Sequence, residues 1–157
     1  MSKEITYTKG DATTPLSAGN KIIVHICNDI GGWGKGFVMA ISKRWKAPEL
    51  EFREWYKSQE NFALGQVQFV KVEETLWVAN LIGQHKINKD EHGMPPIRYE
   101  AVAEGLEKIR LFAQENKASV HMPRIGCGLA GGTWDKMEPL IIAALSDKDI
   151  SVTVYDF

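Results

Sequence analysis

The sequence is poor in cysteine, in net charge and in long apolar runs, and each shortage removes a class of protein. Its two cysteines, Cys27 and Cys127, lie far apart, with no second Cys or His at metal-ligand spacing. A disulfide scaffold and a zinc site are therefore not expected, and two thiols without a secretion signal suit a reducing compartment. The 19 basic residues against 20 acidic leave a formal charge of -1. No overall positive field draws nucleic acid, and no block of like charge marks a tail. No apolar run approaches the ~18 residues of a membrane span. The opening MSKEITYTKG is polar where a signal peptide would be basic and then apolar. The expectation is a cytoplasmic protein without a membrane partner, a metal or a cofactor. Repeats, low-complexity segments and linkers are also missing, so residues 1–157 read as a single domain, long enough to bury its core without staples.

What is present is a succession of short β-branched or apolar runs: 4–8, 21–27, 66–72, 75–82, 119–123 and 150–157. Each has the length and composition of a strand. Helical spacing separates most of them. Val102, Leu106, Ile109 and Ala113 predict a helix over 97–115, with Glu104 and Lys108 as an exposed pair four apart. Phe37, Ile41 and Trp45 share a face of a second, and a third follows Pro48, suited to a first turn. Trp134, Met137, Ile141 and Ala144 mark a fourth, in which Pro139 leaves the first turn open. Residues 66–82 read as a hairpin. Elsewhere helices connect strands, which predicts crossovers and an α/β fold: a mixed, mainly parallel sheet with helices on both faces, in three layers.

Two glycine-rich segments fall where such sheets hold ligands, beyond the carboxyl ends of strands. NDIGGWGKG, residues 28–36, follows the run KIIVHIC and has four glycines in nine positions. RIGCGLAGGTW, residues 124–134, repeats the arrangement after the strand at 119–123. A loop that only turns needs one or two glycines; more of them allow a ligand close to the backbone. Amides opening onto a helix N-terminus suit an anion, and two such loops suit a phosphate chain gripped from both sides. The first is neither a Walker loop nor a dinucleotide fingerprint: Lys35 is followed by Gly36, not by Ser or Thr.

YTKGDAT, VHICNDIGGWGKGF, VANLIGQ, PIRYEAV and MPRIGCGLAGGTWDKM, in this order over almost the whole chain, resemble the macro domain family, in particular its compact ADP-ribose-1″-phosphate-processing branch. The resemblance implies a three-layer α/β/α fold that binds ADP-ribose or ADP-ribose-1″-phosphate, and ADP-ribosylated protein as a further partner. It implies that Asp11 accepts a hydrogen bond from the adenine amino group, with the Ala12 amide nearby. Asp11 also reads as an Asx turn or a helix cap. The first loop would hold the distal ribose and diphosphate through Gly34, Lys35, Gly36 and Phe37, with Asn28 near the ribose hydroxyls or closing its own turn. The second would cover the diphosphate through Ile125, Gly126, Cys127, Gly128, Leu129, Ala130 and Gly131. Trp33 and Trp134 read as stacking surfaces or as seals at a core edge.

His25 matches the histidine that the phosphatase branch uses in catalysis, which implies proton transfer to the departing ribose oxygen or from water. On its own surroundings it reads as a hydrogen-bonded core residue. The branch that removes ADP-ribose from glutamate uses a lysine and an aspartate; those places hold Gln84 and Ala130 here. The expected activity is therefore phosphate removal from ADP-ribose-1″-phosphate, with a non-catalytic ADP-ribose reader or a hydrolase of another mechanism as alternatives.

Overall fold

The computed structural model describes residues 3–157. Side chains alternate along Lys21–Asn28: Ile22 and Val24 enter one apolar cluster, Ile23 and Cys27 another, and all four are buried. A strand with both faces apolar must lie between two helical layers. This strand, β2, sits inside a six-stranded sheet ordered β1-β6-β5-β2-β4-β3, whose other members are Thr6–Lys9 (β1), Val67–Glu73 (β3), Leu76–Gln84 (β4), Ser119–Met122 (β5) and Val152–Asp156 (β6). Every neighbouring pair is parallel except the β3–β4 hairpin. The runs read as strands form strands, with ends displaced by a residue or two.

Helices Phe37–Arg44 (α1) and Ala47–Ser58 (α2) cover one face. Their Val38, Ile41 and Phe52 pack with Ile23, Val78 and Ile82. Helices Tyr99–Asn116 (α3) and Trp134–Ala144 (α4) cover the other, seating Val102, Leu106, Ile109, Met137 and Ile141 on Ile22, Val24 and Leu81. The chain is thus a three-layer α/β/α domain. Helix α3 approaches β4 so closely that a Cβ on Gly105 would stand 2.5 Å from Leu81 Cγ. Helix α4 begins at Trp134 and carries Pro139 inside it. An interior proline costs about 3 kcal/mol; burial of Met137 and Ile141, worth about 1.5–3 kcal/mol each, offsets it. No helix among the described residues is long and apolar enough to cross a membrane.

The parallel arrangement puts the carboxyl ends of β1, β2, β4, β5 and β6 at one edge. Strands β2 and β5 are direct neighbours, paired from Lys21 with Ser119 to Ile23 with His121. The two glycine-rich loops therefore leave adjacent strand tips.

Candidate functional site

At the end of β2 the pairing with β4 slips: Cys27 lies opposite Ile82, and Asn28 opposite Gln84. Asn28 then closes the loop that follows. Its Oδ1 accepts from the Ile30 and Gly32 amides at 3.1 and 2.8 Å, and its Nδ2 donates to the Gly32 carbonyl at 3.1 Å. One amide hydrogen is left for anything else. Trp33 turns inward, donating to Ser42 Oγ at 2.7 Å and packing on Phe52. It is a seal at the core edge. The chain re-emerges at Gly34, Lys35 and Gly36, all exposed. Gly36, at φ 84°, holds a backbone conformation that side chains rarely adopt, and no side chain caps α1 after it. Among the described residues nothing accepts from the amides of Gly34, Lys35, Gly36 or Phe37.

The second loop folds on itself through Gly131 N–H to Gly128 O (3.0 Å) and Gly132 N–H to Gly126 O (2.8 Å). Ile125 and Ala130 point into the core, while Gly128 and Leu129 are exposed. Among the described residues the amides of Gly128, Leu129 and Ala130 also have no acceptor. Leu129 reaches over the first loop, its Cδ1 3.5 Å from where a Gly36 Cβ would stand, so the two loops touch. Cys127 is half-buried, its Sγ 3.4 Å from the Ile125 carbonyl, and burial pushes its thiol up. A protonated thiol is no nucleophile.

Asp11 forms the Asx turn. Its Oδ1 accepts from Thr13 N at 2.8 Å and Thr13 Oγ1 at 2.7 Å, and no described residue donates to Oδ2. One carboxylate oxygen shapes the turn and the other is open to a ligand. Ala12 beside it is buried. A buried network braces this loop: the Tyr155 hydroxyl accepts from Leu16 N at 3.4 Å and lies 2.8 Å from His121 Nδ1, whose ring meets Ser119 and Ser17 through Nε2. Trp134 is engaged by protein. Its indole donates to the Tyr7 hydroxyl, and the Arg124 guanidinium, paired through two bonds with Asp156, lies 5.2 Å from both rings.

His25 does not stand where a catalytic role requires. It is 2% exposed, and its Nε2 lies 2.6 Å from Asn80 Oδ1. The Asn80 amide nitrogen donates to the Pro48 carbonyl and to Gln68 Oε1, so its oxygen is the acceptor and His25 Nε2 carries the hydrogen. Nδ1 is buried without a partner. Trp33 and Phe37 pack against the ring at 5.3 and 6.1 Å, and burial lowers its pKa to about 4. The expectation that His25 performs proton transfer is corrected: alternation along β2 puts it beneath α1, as a neutral core donor.

The histidine that does reach the edge is His85, which the sequence reading passed over. Asp29 holds it: Asp29 Oδ2 is 2.6 Å from His85 Nδ1, and Oδ1 accepts from Lys86 N at 2.8 Å. Asp29 N–H also bonds the Gln84 carbonyl at 3.0 Å. The Asp29 side chain is 17% exposed and that of His85 43%. Asp29 directly follows β2 and His85 directly follows β4, a juxtaposition visible only once the order β2-β4 is known. No group of three or more metal-capable side chains gathers among the described residues. A cavity of about 460 Å³ opens at the opposite edge, between Asn20, Lys117 and Ile150, away from both loops.

One sheet between two helical layers, with two loops of unaccepted amides at neighbouring strand tips, defines an α/β/α protein, and the comparisons agree. No protein-family model matches the chain. A structure of a protein of unknown function from Bacteroides thetaiotaomicron is 64% identical, at a TM-score of 0.98 with 99% of each chain covered. The macrodomain protein from Streptomyces coelicolor is 53% identical, at a TM-score of 0.87 over 98% of this chain and 99% of that one. The chain belongs to the macrodomain family. Curated relatives include the mouse chromodomain-helicase-DNA-binding protein 1-like, 32% identical over 165 residues; that alignment takes 99% of this chain and 18% of the mouse protein, so the chain spans under a fifth of that relative's length. The ADP-ribose 1″-phosphate phosphatase of Candida albicans is 24% identical over 85% of this chain and 89% of its own. The DNA ADP-ribosyl glycohydrolase of Mycobacterium tuberculosis is 29% identical over 96% of this chain and 42% of its own.

Proposed function

We propose that the protein binds ADP-ribose across its two glycine-rich loops and hydrolyses the terminal phosphate of ADP-ribose-1″-phosphate. The observation that carries this reading is the two sets of unaccepted amides, Gly34 to Phe37 and Gly128 to Ala130, on loops in contact with each other. Main-chain donors at a helix start favour a diphosphate, and charge-assisted bonds are about twice as strong as neutral ones. Asp11 Oδ2 is the acceptor for the adenine amino group, and the Gly36–Phe37 turn faces the distal ribose. The relative from Candida albicans, matched over most of both chains, carries the phosphatase name. Gln84 and Ala130 stand where a lysine and aspartate pair would be needed to release ADP-ribose from glutamate, which argues against that route.

A second reading is glycohydrolysis of ADP-ribose from a macromolecule, ADP-ribosylated protein or DNA, favoured by the relative from Mycobacterium tuberculosis. Both reactions act at the distal ribose and would use the same loops. The test is a parallel assay of the purified chain on ADP-ribose-1″-phosphate, ADP-ribosylated protein and ADP-ribosylated DNA. Phosphate release from the first alone is expected. ADP-ribose released from either macromolecule, with the phosphate ester untouched, overturns the phosphatase assignment.

A further inference from the structure

We propose that His85 is the proton-transfer residue of this cleft and that Asp29 positions it. The proposal rests on the hydrolase reading above. Asp29 opens the first glycine-rich loop, and His85 opens the segment between β4 and α3. That segment is tied to both loops: Asp29 holds Lys86 N, His85 N bonds the Pro96 carbonyl at 2.8 Å, and Ile97 N bonds the Ala130 carbonyl at 3.0 Å. Ile87 Cδ1 stands 3.3 Å from where a Cβ on Gly32 would be. The dyad therefore sits at the edge to which both sets of free amides belong.

Its geometry selects one tautomer. An ionised carboxylate only accepts, so His85 Nδ1 carries the hydrogen and Nε2 keeps its lone pair. Among the described residues nothing bonds Nε2, and the side chain is 43% exposed. His25 has the opposite arrangement: its hydrogen is engaged by Asn80 and its lone pair is sealed in the core. Of these two histidines, only His85 can meet water and substrate.

In the reaction, Nε2 accepts a proton from water as the water oxygen bonds to the phosphorus. The bond from phosphorus to the ribose oxygen breaks, its electron pair stays on that oxygen, and the imidazolium returns the proton there. Water and phosphate ester become alcohol and phosphate, and neutral imidazole is restored. Asp29 keeps the ring in the reactive tautomer. Charged groups beside it include Lys86 and Asp90 on its own segment, and Arg98 at the start of α3 lies near Asp90.

The test compares the whole chain with His85→Gln, His85→Ala and Asp29→Asn. Each variant is expected to bind ADP-ribose within about threefold of the parent while phosphate release falls by about 10²–10⁴-fold. Asp29→Asn is the sharper variant, because its amide can keep Lys86 N with the oxygen while donating to Nδ1, which moves the hydrogen to Nε2 and reverses the role of the ring. The acid limb of the kcat/KM profile is expected to vanish in His85→Ala, and added imidazole to restore part of its rate. A merely structural clip would shift melting temperature and affinity without moving the pH profile. Turnover by His85→Gln within about threefold of the parent overturns the proposal. A parent that binds ADP-ribose but cleaves none of the three substrates also overturns it, leaving the binding reading intact; a parent that fails to bind ADP-ribose removes the reading beneath it.

Discussion

Lowering the pH from 7 to 5 is expected to destabilise the protein by about 4 kcal/mol, half through His25 and half through His121. Both imidazoles are buried, at 2% and 1% exposure, and burial lowers each to about 4. In the unfolded chain a histidine titrates near 6.5. As the pH falls through 6.5 the unfolded chain takes up protons that the folded protein refuses until about pH 4. The stability is complete above 6.5, is lost between 6.5 and about 4, and reaches a total of about 3 kcal/mol per histidine. Against the ~5–15 kcal/mol of an ordinary domain this is a large fraction. Asp156, held below the usual carboxylate range by Arg124, and Asp90, held there by the Met94 and His92 amides, begin to take up protons only further into acid. Denaturant midpoints at pH 7, 6 and 5 measure the slope, and His25→Gln or His121→Gln is expected to remove about half of it. Stability flat to within about 1 kcal/mol from pH 7 to 5 would refute the reasoning. It would mean that these rings accept protons in the folded protein, as a proton-donating His25 requires.

Three further expectations are independent of that one. ADP-ribose at about 100 times its dissociation constant adds about 2.7 kcal/mol to the folded state, a rise of roughly 5–10 °C in melting temperature; no shift at millimolar ligand removes the cleft reading. Gly128→Val is expected to leave the melting temperature unchanged, since no atom lies within 4 Å of a Cβ there, while ADP-ribose affinity measured by calorimetry drops at least about tenfold. Normal affinity would make Gly128 a turn residue only. Gly105→Ala is expected to cost about 1–3 kcal/mol in denaturant unfolding, because the new methyl meets Leu81 at 2.5 Å; a neutral result would mean that α3 is not seated on β4 as described.

The candidate site was half legible in the sequence. The glycine density at 28–36 and 124–134, each after an apolar run, pointed to backbone-lined loops, and the parallel sheet brings them together. Asp11 carried two readings, and the structure accommodates both on different oxygens. Asn28 and Trp33 carried two as well; the structure shows the local one for each, loop closure and core seal. His25 was misread because its family match outweighed its flanks, IIV and IC, whose alternation already implied burial. His85 offered a weak local signal, one histidine just past an apolar strand, while its partner Asp29 lies 56 positions away.

By itself the sequence determined what depends on neighbours along the chain: six strands, four helices, their alternation, and the glycine-rich turns between them. Those patterns act over a few residues, through pleat, helical repeat and backbone freedom. Only the tertiary structure decided which histidine is presented at the edge of the sheet. Strand order brings the ends of β2 and β4 side by side and closes α1 and α2 over His25, and it is set by packing the whole sheet at once.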